Sequence, residues 1–292
     1  MSDQIEEWLK RLDQILEHQK FESAEEAEAW IREQAENRTV DEFLADYAPP
    51  AKKIAQLWAQ AESAADPEEA RRHYFATIDF GKQQLPEIWS EAVANPAQWQ
   101  QEPACYFLQS LFGVAATYEM ESQFDQAEEQ YRTIVQLDPD DHLGAHEKIF
   151  SLCVMDGRLR DARDVLEPFS HVETAQACYQ QALLRFLEAA DEAEERYQQS
   201  GDVEAASAWK DVRAEKLLEQ ALRKNLYVAK LMAHPRAFEL DCPQQFEPGS
   251  PGEAVAIMYA TAHLWLSDIL ALSWLLGGAK TISHSNRSEE RR

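Results

Sequence analysis

The sequence predicts an all-α protein: a stack of helical hairpins closed by helical caps at both ends. Three observations predict it. Between Leu111 and Pro139, small and large apolar residues fall at the offsets of two adjacent helices. The run Met120 to Ala127 (MESQFDQA) recurs 35 residues later at Met155 to Ala162 (MDGRLRDA). Both ends of the chain carry amphipathic helical patterns opened by capping signals.

In chain order, Ile5, Trp8, Leu9, Leu12, Ile15 and Leu16 give residues 3–18 one apolar face. Ser23 with Glu26 and Thr39 with Glu42 match the capping box and open two further short helices. Pro49-Pro50 ends this N-terminal segment of residues 1–50, which reads either as a cap for the first repeat or as a separate recruitment or dimerisation module.

The repeat region spans 51–226. Its first hairpin places Ile54, Leu57 and Ala61 on one helix and Ala70, Tyr74 and Thr77 on the next, with Asp66, Pro67 and Glu69 forming the start signal between them. In the second hairpin, Leu111, Val114, Ala115 and Tyr118 stripe the first helix, and Ala127, Tyr131 and Ile134 stripe the second, with Pro139 closing it. Ala115 and Ala127 are small enough for the two backbones to approach closely. The next copy aligns Ile149 with Val114, Ala162 with Ala127 and Leu166 with Tyr131, so the tight turns fall at Ser122-Gln123 and Asp156-Gly157. A late copy pairs a helix holding Cys178, Ala182 and Leu183 with one holding Ala214, Leu218 and Ala221.

The pattern at Leu111 to Pro139 resembles the tetratricopeptide repeat (TPR), with Ile134 in place of the last alanine. That resemblance implies a right-handed superhelical stack of TPR-like helical hairpins whose first helices line a concave protein-binding surface. The chain is also similar, over about residues 51 to 276, to a mostly bacterial TPR family with a short C-terminal helical cap. The matching residues are Asn225, Val228 and Lys230, then Phe246, Gly249, Ser250, Glu253, Ala254, Tyr259 and Ala260, then Trp265, Ala271, Leu272, Trp274 and Leu275. The family has prolines where this chain has Leu226 and Ala229, so helix is expected to continue past the last repeat instead of bending at once. Extra acidic and polar residues near 189–209 extend the third hairpin toward a tip at Gly201, either an interaction feature or a solvated extension.

Residues 227–279 read as the C-terminal cap. His234-Pro235 and Cys242-Pro243 interrupt helix, Ser250, Pro251 and Glu253 start the final unit, and Trp265 and Trp274 face the last repeat. The polar tail 280–292 reads as disordered.

Composition narrows the function. The 292 residues are 45% apolar, enough for a sizeable core. A formal charge of −25, from 53 acidic and 28 basic residues, argues against nucleic acid or an anionic bilayer as partner. It leaves a basic or mixed-charge protein or peptide, or plain solubility. No basic n-region opens the chain, and Ala260 to Gly277 is interrupted by His263, Ser267, Asp268 and Ser273, so a cytoplasmic location is expected. Cys105, Cys153, Cys178 and Cys242 are widely spaced, without the close pairing of zinc or redox sites.

His142 and His146, preceded by Asp138, Asp140 and Asp141, have a spacing that fits either a divalent metal or an acidic inter-repeat loop, and the loop is the preferred reading. No hydrolase, zinc-protease or phosphate-loop signature is present, so no catalytic residue, metal or cofactor is assigned. The expected function is a non-enzymatic protein-binding or peptide-binding scaffold. Its candidate groove residues, off the packing stripes, are Phe107, Ser110, Glu119, His142, His146 and Lys148. The alternatives are an architectural module that self-associates, as a homodimer, through its terminal helices, and a metal-binding or hydrolytic enzyme.

Overall fold

The computed structural model describes residues 50–201, 211–234, 236–243 and 245–289, together with Ser23, Glu26 and Trp30; Phe238 and residues 284–289 are described as backbone. These residues form twelve α-helices and short 3-10 turns, with no strand among them. None of the helices is long and apolar enough to cross a membrane. The chain divides into two compact units, residues 1–143 and 144–292, a division inside the span read from sequence as one repeat array.

The first unit contains α1 (Pro50–Glu62), α2 (Pro67–Gln84), α3 (Pro86–Ala94), α4 (Ala104–Met120) and α5 (Phe124–Leu137). Helix α2 starts where its sequence says it should. Asp66 accepts from the Glu69 N–H at 2.8 Å, and Pro67 fills the first turn, where no donor is needed. Helices α1 and α2 pack as one antiparallel pair and α4 and α5 as another, with α2 against α4.

The α2–α4 seam is built on two glycines. A Cβ at Gly81 would stand 1.5 Å from the Phe107 ring, and one at Gly113 would stand 2.3 Å from the Tyr74 ring. Each helix therefore offers a hollow to the other's aromatic side chain, which lets both rings enter a close-packed interface. Each pair is also closed by a tyrosine hydroxyl. Tyr74 donates to Glu62 at 2.5 Å and Tyr131 donates to Glu119 at 2.6 Å, in both cases across a separation of 12 residues. A further aromatic layer comes from α3 and the 3-10 turn Pro96–Gln100: Trp89 meets Trp99 and Phe107 edge-on, and the Trp99 N–H donates to the Leu137 carbonyl at 2.9 Å.

The second unit contains α6 (Ala145–Met155), α7 (Leu159–Leu166), α8 (Ala175–Ser200), α9 (Val212–Lys224), α10 (Tyr227–Met232), α11 (Pro251–Ser267) and α12 (Ile269–Glu289). Helices α6 and α7 form one pair and α8 and α9 another. The turns at Ser122 and Gly157 share one geometry. In each, a residue with φ near 60–70° lets two successive N–H groups return to the last turn: Gln123 to Tyr118 and Ser122 to Glu119, then Arg158 to Cys153 and Gly157 to Val154. Glycine suits that left-handed position and serine does not.

Helix α8 runs 26 residues before Gly201 ends it, again at positive φ. Arg185 ties its middle to α9, donating to Asp211 at 2.5 Å and to Glu192 at 2.8 Å. Asp211 also caps α9 by accepting from the Arg213 and Ala214 N–H groups. Helix α12 packs on α9, where the Leu218 and Leu222 side chains approach the bare face of Gly278.

Two expectations are corrected. Helix does not run unbroken past the last repeat: α9 stops at Asn225, whose backbone is extended at φ −154° and whose side chain is held by partners outside the helix, and helix resumes as α10 at Tyr227. The tail expected from residue 280 is helical as far as Glu289, since Lys280 to Glu289 contains no proline or glycine to break the last turns of α12. The apolar face of residues 3–18, the Thr39–Glu42 start signal and residues 202–210 of the hairpin tip lie outside the described residues. Ser23 does accept from the Glu26 N–H, at 3.2 Å.

Candidate functional site

The stripe residues lie largely in the core. Leu111, Val114, Ala115, Ala127, Tyr131, Ile134, Ile149, Ala162 and Leu166 are buried. Tyr118 is half-buried under the Arg71 guanidinium, 4.6 Å from the ring centre, and Pro139 is exposed.

Three of the six groove candidates are buried. Phe107 is 0% exposed, being the ring that fills the hollow at Gly81, and Ser110 is also 0% exposed. Both are corrections to the groove reading, caused by helix phase: on α4 these positions turn toward neighbouring helices. His146 is buried and stacks on Phe169, with ring centres 3.9 Å apart. Glu119 and Lys148 are half-buried, and Glu119 is committed to the Tyr131 hydroxyl.

His142 is exposed and lies before α6, not on it. Its ring Nδ1 is 2.9 Å from the buried Asp138 carboxylate, which also accepts the His142 backbone N–H at 2.7 Å. With Gly144 in the left-handed region between them, His142 and His146 are not successive turns of one helix, which removes the premise of the metal spacing. Among the described residues no group of three His, Cys, Asp or Glu side chains is suited to a metal ion. Cys153 and Cys178 are buried and Cys105 half-buried; burial raises the thiol pKa of Cys105 and Cys178, the direction opposite to that of an activated nucleophile.

Sequence reasoning missed the seam between α1 and α4. There the Trp58 and Tyr106 rings pack with centres 5.3 Å apart. The Trp58 Nε1–H, the Gln109 Oε1 and the Ser110 hydroxyl are buried and have no hydrogen-bond partner among the described residues. Gln109 and Ser110 follow Tyr106 by three and four positions, so they lie on its side of α4. The seam therefore buries a donor, an acceptor and a hydroxyl beside an aromatic pair. Buried polar atoms left in this state are uncommon in folded proteins. Carboxylates border the seam: Glu102 accepts from the Tyr106 hydroxyl at 2.8 Å, which pushes that phenol up to about 12. The aromatics at 58 and 106 were visible in the sequence, but nothing in the repeat pattern singled out their unpaired polar atoms.

In the second unit the corresponding helices are covered by the chain itself. Helix α11 touches both α6 and α8, and α12 touches α8 and α9. Trp265 meets Tyr179 edge-on, Trp274 stacks on Phe186 at 4.8 Å, and the Trp274 N–H donates to Glu215 at 2.8 Å. Asn225 forms the hub of this closure. Its amide donates to the Ser250 carbonyl and to Glu253, its backbone carbonyl accepts the Tyr179 hydroxyl, and Glu253 also accepts the Gly249 N–H. Every partner lies inside the unit, so the cluster that carried the C-terminal family resemblance does packing work. Protein-family models, curated proteins and solved structures give no match to this chain.

Proposed function

We propose that the chain is a non-enzymatic scaffold of TPR-like repeats in a right-handed superhelical arrangement, and that it binds a protein or peptide segment across the α1–α4 face. The observation that carries the reading is the unpaired Trp58 donor and Gln109 acceptor beside Tyr106. A peptide main chain presents a C=O and an N–H in alternation and complements both buried groups once the seam opens to admit it. The neighbouring Glu62 and Glu102 favour a basic or mixed-charge segment and oppose an acidic one. The chain's charge of −25 opposes nucleic acid in the same way.

The test uses full-length protein and peptides selected on it from a displayed random library. Trp58→Phe keeps the ring and removes only the indole N–H, and Gln109→Leu removes the acceptor. Each is expected to weaken the selected peptides about fivefold to tenfold, in line with one net hydrogen bond. Selected peptides that bind both variants as tightly as wild type would sink the proposal.

A second reading rests on a different observation. Tyr259, Leu266, Ile269 and Leu270 are exposed around the α11–α12 corner, with Ile269 at 70%. This apolar strip, whose one carboxylate is the half-buried Asp268 engaged by the Leu270 and Ala271 N–H groups, fits a second copy of the chain. Sedimentation of wild type and Ile269→Lys/Leu270→Lys separates the readings: a dimer lost in the variant supports self-association, and a wild-type monomer removes it.

A further inference from the structure

The cleft between α10 and α12 lies apart from the α1–α4 face and has a different chemistry. Ala229 and Ala233 of α10 and Leu276 and Ala279 of α12 line a cavity of about 440 Å³, within the range of small-molecule sites. The alanines keep it open, because larger side chains at these one-turn spacings would fill it. Lys230 and Lys280 stand on its lining. The Lys230 ammonium lies 4.9 Å from the centre of the Tyr227 ring, and neither lysine has a carboxylate partner among the described residues. The remaining polar group, the Ser283 hydroxyl, donates to the Ala279 carbonyl at 2.8 Å, so charge recognition falls to the two ammonium groups.

We propose that this cleft binds a single-chain amphipathic carboxylate, with its alkyl chain against Ala229, Ala233, Leu276 and Ala279 and its carboxylate at Lys230 and Lys280. An apolar trough with cations at its rim selects for both parts of such a molecule. A neutral alcohol of the same length fills the trough and forgoes the charge. A short carboxylate does the reverse.

The experiment is calorimetric titration of the full chain with dodecanoate below its micelle concentration, beside dodecanol, dodecylamine and acetate. One saturable dodecanoate site is expected, with dodecanol at least about tenfold weaker and acetate and dodecylamine unbound. Lys230→Gln/Lys280→Gln should weaken dodecanoate about tenfold and bring it level with dodecanol. Ala279→Phe should abolish both by filling the trough, while Tyr259→Ser, outside the cleft, leaves binding unchanged. Circular dichroism confirms that each variant is folded, and Ala233→Phe replaces Ala279→Phe if that variant is not. Absence of a saturable site, equal binding of dodecylamine, or full affinity in the double glutamine variant would each overturn the proposal.

Discussion

The two units satisfy their first helices in opposite ways. In the first, the helix pairs are closed from within, by rings set into Gly81 and Gly113 and by the Tyr74–Glu62 and Tyr131–Glu119 bonds. The α1–α4 seam is left with unpaired polar atoms, as is Gln180 on α8 of the second unit. In the second, the tyrosine position of the repeat is occupied by Leu166 and the glutamate position by Val154, so that bond has no counterpart. The chain instead lays α11 and α12 over α6, α8 and α9, and Asn225 and Glu253 lock them there. Among the described residues, the first unit has no counterpart to this C-terminal cover over α1 and α4, and that difference separates the units more sharply than their shared pattern does.

The largest test of this contrast is Trp265→Ala. Trp265 is 1% exposed between Tyr179 and Trp274, so its loss leaves a large cavity where α11 covers α8. Destabilisation of about 3–5 kcal/mol is expected in urea unfolding of the full chain. A loss below about 1 kcal/mol would mean that α11 is a dispensable cover, not part of the core.

Next in size is Gly81→Ala. In an isolated helix alanine is favoured over glycine by about 1 kcal/mol, but here the new Cβ would stand 1.5 Å from the Phe107 ring. The overpacking should win and destabilise the first unit by about 1–3 kcal/mol. Phe107→Leu in the same chain should recover part of that loss, giving a non-additive double-mutant cycle. Additive losses would show that the ring and the glycine do not share the seam.

These packing relations divide what the sequence could and could not reveal. Stripes such as Val114, Ala115, Ala127 and Ile134 were legible because helical periodicity constrains the face a residue shares with its neighbours. Asp66 and Ser250 were legible as caps because their hydrogen bonds are local. Phe107 and Ser110 were misplaced because their burial depends on helices distant in sequence: Phe107 needs the hollow at Gly81, 26 positions earlier. The stop at Asn225 was hidden for the same reason, since its partners lie at Ser250 and Glu253. The α1–α4 seam was the least legible, because Trp58 and Tyr106 meet only when helices 48 positions apart pack together.

The third test concerns the base of the long hairpin, where Arg185 of α8 bonds Asp211 at the start of α9 and Glu192 on its own helix. Hydrogen bonding to Arg185 holds both carboxyls below their usual range. A depressed carboxyl contributes stability that is present above its ordinary pKa and is lost as pH falls through the lowered value. Acid should therefore weaken this junction, and Asp211→Ala should flatten that part of the stability-against-pH curve. At neutral pH the variant should lose about 1–2 kcal/mol, chiefly because the Arg213 and Ala214 N–H groups lose their cap. An unchanged acid limb would place the pH dependence elsewhere.

The smallest expected effect compares the two matched turns directly. Gly157 takes its positive φ without penalty, whereas Ser122, at φ 59°, carries a Cβ into the same region. Ser122→Gly should therefore stabilise the first unit, by about 1 kcal/mol before the greater freedom of glycine in the unfolded chain subtracts part of the gain. Gly157→Ser should destabilise the second unit by a similar amount, although nothing lies within 4 Å of the added Cβ. Opposite signs in thermal unfolding would identify backbone conformation as the common constraint on both turns. If both substitutions destabilise, the Ser122 side chain contributes an interaction that outweighs its strain, and the two turns share geometry without sharing energetics.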